Sequence, residues 1–513
     1  MIAIDRTEGH WLLRLAVAAA LVVAFALQLT PPEARAAGKT LTVGIEVDPT
    51  GFDAIKGRVL GEAPASVAVT IMDRLMERGP DGNLVGTLAV SWSESADGKS
   101  YVYKLRRGVT FHDGTPFNAD AVVAHFTRIL DPANKYVGLM FIQPVQSVEK
   151  VDDYTVRVNL AHRWLPAREV FSVFALCCFI PSPKAVAADI QNRAPVGTGP
   201  YMFKEWKGGD RIVVVRNPNY WDKSAKVTFD EIVFRILPDQ QTRFAALQSG
   251  EIDATWTDRG LSIVQARQDP NLTVHSLEGG GGSIIFLNAT KPPLDDVRVR
   301  RTLSHAWDQK YYVEKLLLGT QGITTHGLGP GVKCDAGYLS GGDVEDAKKL
   351  LAEVGKPVTV ELLHTSTQRG REFGLLYQQL GKRAGITMTL KPMDQLSFVQ
   401  AVFANNYQIA GWRIADTGDI GPQLFGLLHS KSPYNLAHYS DAEMDKLLVA
   451  MYRATTDQER IDATCAVVRK MNADAPILWQ TGRIHNAITK KSLRGLRPLF
   501  QGVLDARFTW FEE

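Results

Sequence analysis

The 513-residue chain is too long for one ordinary domain, and with 45% apolar and 22% charged residues it reads as soluble and globular, built from two or three compact units. The formal net charge is only +3 and no long run of Lys or Arg occurs, which argues against a nucleic-acid partner, since phosphate binding needs a concentrated basic face. Ten Trp and 14 Tyr point to aromatic-lined recognition surfaces.

The first 36 residues differ from the rest. Arg14 is followed by LAVAAALVVAFAL (15–27), thirteen apolar residues without a charge, short for a bilayer span and right for a secretory h-region. TPPEARA (30–36) ends in Ala34-Arg35-Ala36, a small-x-small cleavage pattern, so residues 1–36 are predicted to be a signal peptide and Ala37 the mature start. Asp5 and Glu8 offset Arg6 and Arg14 in the n-region, which leaves an uncleaved anchor as the alternative. No cysteine follows the h-region to suggest lipid attachment, and no later apolar stretch is long enough to span a membrane. The mature chain is expected to be exported.

From 40 to about 285 the pattern is rich in strands and turns. LTVGIEV (41–47) predicts a buried strand, residues 91–105 a hairpin around Asp97-Gly98, and 147–160 a second hairpin turning at Asp152-Asp153. Residues 211–217 and 231–237 read as strands, and 240–253 as a helix closed near Gly250. GGGGS (279–283) is flexible-looking and lies beside a change of rhythm. Beyond it, strands at 358–364, 386–393 and 407–413 alternate with helices at 371–385 and 396–403, a spacing that makes parallel neighbours and hence an α/β lobe. Helices are expected at 441–454, capped by Ser440, and at 457–473, followed by a strand-like PILWQT (476–481).

FHDGTPFNAD (111–120) resembles a reactive corner but has a folding explanation. Gly114 permits a tight turn, Pro116 stiffens its exit, and Asn118 is placed to cap a helix over 119–130 with Ala119, Val123, Phe126 and Leu130 on its buried face. His112, Asp113 and His125 lack recognisable metal-ligand spacing. Among the four cysteines, the adjacent Cys177 and Cys178 are expected to be buried thiols, a disulfide to Cys334 or Cys465 is an alternative, and none has zinc spacing. There is no G-x-S-x-G, no H-E-x-x-H and no phosphate-binding loop, so neither an enzyme nor a cofactor is expected, with a secreted hydrolase as the remote alternative.

LAVSWSESADGKSYVYKLRRGVTFHDGTPFNADAVVAHF (88–126) resembles the signature of the family 5 solute-binding proteins, the periplasmic receptors of peptide and nickel ATP-binding-cassette importers. The likeness continues through PVGTGPYMFKEWKGGDRIVVVRNPNYW (195–221), 230–253, 286–308, GWRIADTGD (411–419) and HYSDAEMDKLL (438–448). The resemblance implies a two-lobed periplasmic-binding-protein fold of the large, peptide-binding type. The first lobe would span 37–285 with an inserted subdomain near 78–194, the second 286–481, and 482–513 would return to the first, with crossings near Leu287 and Thr481. It also implies a periplasmic monomer that binds a small molecule or peptide and delivers it to an inner-membrane permease with ATPase subunits.

Ligands of open α/β sheets gather outside the carboxyl ends of the strands. Arg369, in the loop TSTQRG (365–370), and Asp416, after strand 407–413, meet that condition with opposite charges, which suits a zwitterion. In the family the aspartate of a W-x-A-D segment takes a peptide's amino terminus; Trp412 and Asp416 match with one extra residue between them, and Asp419 is the reserve. In dipeptide-binding members an arginine of a Q-R loop takes the carboxylate, and Gln368-Arg369 matches. Trp412 is expected to lie along the ligand, while Arg58 and Leu60 in IKGRVL (55–60) align with the first-lobe edge that binds peptide backbone. Family members carry aromatics where this chain has Gly279–Gly282, which suggests a roomier cleft. A non-peptide amine or opine-like solute is an alternative, as is nickel or a metal chelate held near His364, His429 or His438.

Overall fold

The computed structural model describes residues 39–57, 61–79, 83–167, 171–172, 178–338, 340–415, 419–498 and 502–512. The predicted signal segment, Arg58, Leu60, Cys177 and Asp416 lie outside the described residues.

The first part of the chain supplies β1 (Thr40–Ile45), the short β2 (Met76–Arg78) and β3 (Leu84–Gly86), and the hairpin strands β4 (Ala89–Glu94), β5 (Ser100–Leu105), β6 (Val145–Asp152) and β7 (Thr155–Leu160). After these come β8 (Tyr201–Lys207), β9 (Arg211–Arg216), β10 (Glu231–Ile236), β11 (Ala254–Thr257) and the long β12 (Leu272–Leu287). The second part adds β13 (Thr359–Thr365), β14 (Thr387–Met393), β15 (Ile409–Ile414) and the long β16 (Ile477–Lys490). Among the described residues ten of these strands form one sheet in the order β14-β13-β15-β12-β16-β11-β1-β10-β9-β8.

The two long strands explain the architecture. β12 and β16 pair antiparallel along both halves of the molecule, so one sheet passes through two lobes. On one side β11, β1 and β10 run parallel around a core of Leu41, Val43, Phe234 and Ala254. On the other, β13 pairs parallel with β14 and β15 over a separate core that includes Leu303, Trp307, Leu362 and Tyr377. β4-β5-β7-β6 form a four-stranded sheet of their own. The last stretch returns to the first lobe, where Leu504 N donates to Ser66 Oγ at 2.9 Å and Arg507 pairs with Glu77 at 2.8 Å.

β12 crosses between lobes with a break in register between Gly279 and Ser283. The glycine run is therefore part of a strand rather than a flexible linker. Nor do Gly281 and Gly282 widen the cleft: a Cβ at Gly281 (φ 73°) would meet Ile414 O of β15 at 2.3 Å, and one at Gly282 would meet Thr481 O of β16 at 2.2 Å. Glycine is used there because three backbones come together.

Helix ends follow the polar residues that the sequence offers. Asn118 accepts from Ala121 N and begins the 119–130 helix, whose buried face consists of Ala119, Ala121, Val122, His125, Phe126 and Ile129. Val123 and Leu130 are only half-buried, so that face is rotated from the expected one. The Ala442–Arg453 helix is capped by Asp441 rather than Ser440, its side chain accepting from Met444 N. Thr456 and Glu459 cap the Asp457–Asp474 helix reciprocally.

The cysteine expectation is corrected. Cys334 and Cys465 form a disulfide closing 131 residues, and Cys178 is disulfide-bonded as well rather than a free buried thiol. Removing so long a loop closure destabilises a domain by roughly 2–5 kcal/mol. No helix of the described residues is long and apolar enough to cross a membrane.

Candidate interlobe solute site

A cavity of about 510 Å³, counting the part open to solvent, lies where the lobes meet. β11 runs into it and Asp258 follows the strand, β16 passes through it from Thr481 to Ala487, and the second lobe contributes Arg369 and Arg413. Residues from both lobes and from a crossing strand thus share one wall.

Arg369 is in the first turn of the Gln368–Arg383 helix, not in the preceding loop. Thr367 caps that helix, accepting from Gly370 N at 3.1 Å. A cation at a helix N-terminus opposes the dipole, so local helix energetics do not account for its position. What it gains there is an ion pair with Asp258 of the first lobe. Burial pushes the Arg369 pKa down to about 10, and the guanidiniums of Arg413 and Arg483 push in the same direction.

Arg413 follows from strand alternation. On β15, Arg413 pairs with Ser283, and both residues line the cavity, whereas Trp412 points to the other face of the sheet. Trp412 packs against Phe398, Phe403 and Phe286, with ring centroids 6.0–6.4 Å away, and is not part of the cavity wall. Arg413 Nη1 reaches Glu62 of the first lobe at 3.1 Å, and Arg483 of β16 pairs with the same carboxylate oxygen. Glu62 starts the Glu62–Ile71 helix, where the dipole favours an anion. Burial alone raises the Glu62 pKa, but Arg413 and Arg483 outweigh it and hold the carboxyl below its ordinary value.

The same wall contains His485, whose pKa is pushed down to about 3 by burial and then by Arg483. The neutral ring accepts at Nε2 from Arg483 Nε, 3.3 Å away. At the margin of the cleft Arg259 and Glu372 add another interlobe pair at 3.0 Å.

The remaining sequence candidates are placed as follows. Asp419 is buried away from the cavity; its carboxylate accepts from Gly421 N at 2.8 Å and from Arg460 Nη1 at 2.6 Å, at the start of the Gly421–Leu428 helix. His364 is buried beneath the same lobe, its Nδ1 2.9 Å from Thr365 O. No cluster of three or more His, Cys, Asp or Glu suited to a metal ion occurs among the described residues. In the FHDGT corner, His112 Nε2 lies 2.9 Å from Gly199 O and Asp113 accepts from Ser182 and Thr115, so the segment ties loops together. Arg413, Arg483, Glu62 and Asp258 were not among the sequence candidates. Parity on β15 separates Arg413 from Trp412 without saying which of them meets the cavity, and the others are brought there by long-range tertiary contacts.

Two lobes joined by paired crossing strands, with a charged cavity between them, are the fold of the periplasmic binding proteins. The model for bacterial extracellular solute-binding proteins, family 5 middle, matches residues 83–435, and the chain belongs to that family. It is 30% identical over 479 residues to the probable di/tripeptide-binding protein 5 of Pseudomonas aeruginosa, covering 86% of this chain and 90% of that one. In three dimensions it is similar to the periplasmic binding protein DppA from Helicobacter pylori, with a TM-score of 0.82 and 22% identity over 93% of this chain and 98% of the other. It is also similar to AgaA, a binding protein solved with agropinic acid, with a TM-score of 0.81 and 24% identity over 92% and 99% of the two chains.

Proposed function

We propose that the mature chain is the periplasmic solute-binding component of an ABC importer for peptides or similar small zwitterionic solutes, and that it binds without catalysis by closing two lobes. The observation that carries this reading is the Arg369–Asp258 pair, a contact made across the cavity by side chains of opposite lobes. A solute carboxylate takes the place of Asp258 on the planar fork of Arg369, and the ammonium group is received by Asp416. Closure excludes water, which strengthens both contacts and penalises a solute that leaves either charge unpaired. The similarity to a di/tripeptide-binding protein supports the solute class. Residues 1–36 direct export and are removed, and the filled receptor delivers its solute to a membrane permease powered by separate ATPase subunits.

Mass spectrometry of the molecule that copurifies with the mature protein identifies the solute, and calorimetry then measures its affinity. Arg369→Ala and Asp416→Ala are each expected to weaken binding by about tenfold to a hundredfold, the usual range for losing a hydrogen bond to a charged group. Unchanged affinity in both variants, or conversion of the solute to a product, would overturn the reading.

A further inference from the structure

The indole of Trp256 offers a hydrogen-bond donor that the fold leaves unused. Trp256 lines the cavity from β11, is half-buried, and packs on the first-lobe core. Its Nε1–H is buried and has no acceptor among the described residues. A buried N–H without an acceptor is costly, and native structures keep few of them. Other polar side chains of the wall are paired. Gln321 Nε2 donates to Ile484 O at 3.2 Å, Asn486 Nδ2 to Thr320 O at 3.3 Å, and Thr257 Oγ1 accepts from Arg259 N at 3.1 Å. Packing alone does not call for an indole here, because a phenyl ring would rest on the same core without burying a donor.

Trp256 stands two residues before Asp258, about 7 Å along an extended chain, a span comparable to the reach of a tryptophan side chain. Its cross-strand partner on β16 is Ala487, whose methyl group covers little of a tryptophan ring, and both residues line the cavity. A solute carboxylate that takes the place of Asp258 on Arg369 therefore brings oxygens into the part of the cavity that Trp256 borders.

We propose that Trp256 is a further solute-binding residue, its indole N–H donating a hydrogen bond to an oxygen at the acid end of the solute. The inference rests on the solute-receptor reading and adds a first-lobe contact to it. Arg369 belongs to the second lobe, so a solute held by both side chains is gripped only when the lobes are together. The ring is already packed on the core, which leaves little ordering to be done on binding. A solute with a methylene in place of that oxygen would leave the donor buried and unpaired, which disfavours it.

The test uses the mature protein, carrying isotope-labelled tryptophan, and an equimolar library of Ala-X dipeptides and Ala-Ala-X tripeptides. Members that the wild type retains in native mass spectrometry are then titrated singly. The indole N–H resonance of Trp256, identified by its loss in Trp256→Phe, is expected to move downfield on saturation, as an N–H does when it gains an acceptor. Trp256→Phe keeps an aromatic ring on the core and is expected to bind the same peptides about threefold to tenfold more weakly, the range for one net hydrogen bond, while melting at the wild-type temperature. The resonance is read in the wild type and so does not depend on how the variant folds. A resonance unmoved at saturation, or a Phe variant with wild-type affinity, overturns the inference and leaves the receptor reading standing. If the wild type retains no member of the library, both fall together.

Discussion

Glu62 and Glu46 lie close together and titrate in opposite directions. Glu62 faces Arg413 and Arg483, and its carboxylate stays ionised despite burial. Glu46 has burial and the charge of Glu62 against it, and Arg243 and Arg413 compensate only in part, so its pKa rises from 4.5 to about 7. A carboxyl whose pKa is raised by folding contributes stability while protonated and loses it as pH climbs toward the folded value. Wild-type stability from this group is thus complete below pH 4.5 and declines up to about pH 7. Glu46→Gln cannot ionise; its advantage over the wild type is expected to be absent at pH 4 and to grow to its full size by pH 8, measured by denaturant unfolding at each pH. A constant difference across that range would contradict the assignment. At this scale the sequence was partly legible. Arg369 could be found because it follows a strand of an α/β lobe, the place where such folds bind. Arg413 could not be chosen over Trp412 without the strand's facing, since both occupy one short strand and alternation alone does not say which parity meets the cavity.

The elements were most readable where a local rule acts alone. Asn118 and Gly250 mark helix ends by chemistry contained within a few residues, whereas between the adjacent candidates Ser440 and Asp441 only the structure shows that Asp441 is the cap. The crossing strands were less readable. GGGGS resembles a linker in composition, and only the nearness of Ile414 and Thr481 shows that it is packed strand. Likewise β16 continues through Gly482 to Lys490, past the 476–481 segment that its apolar residues announce, because β11 and β12 supply its partners. Gly281→Ala tests this: the residue would need a left-handed conformation and would press against Ile414 O. A loss of roughly 1–3 kcal/mol in unfolding free energy is expected, in the range for strained backbone positions. A variant as stable as the wild type would show that the crossing is loose.

On the scale of the molecule, three ion pairs among the described residues join the lobes at the cleft: Arg369–Asp258, Arg413–Glu62 and Arg259–Glu372. A second meeting place lies beside the four-stranded sheet, where Trp164 stacks on Tyr452 of the Ala442–Arg453 helix with centroids 6.5 Å apart. The ionic contacts are partly exposed and contribute little on their own, typically about 0–1 kcal/mol each, and the buried apolar cluster that includes Trp164, Leu424, Leu427 and Tyr452 adds to the joined arrangement. A solute that touches both lobes only when they are together shifts the balance between parted and joined lobes by its difference in affinity for the two arrangements. The most direct test is small-angle scattering of the mature protein with and without its copurifying solute, with saturation established by calorimetry. The account predicts a two-lobed particle whose radius of gyration falls on saturation; a scattering curve that does not change when the site is full would contradict it.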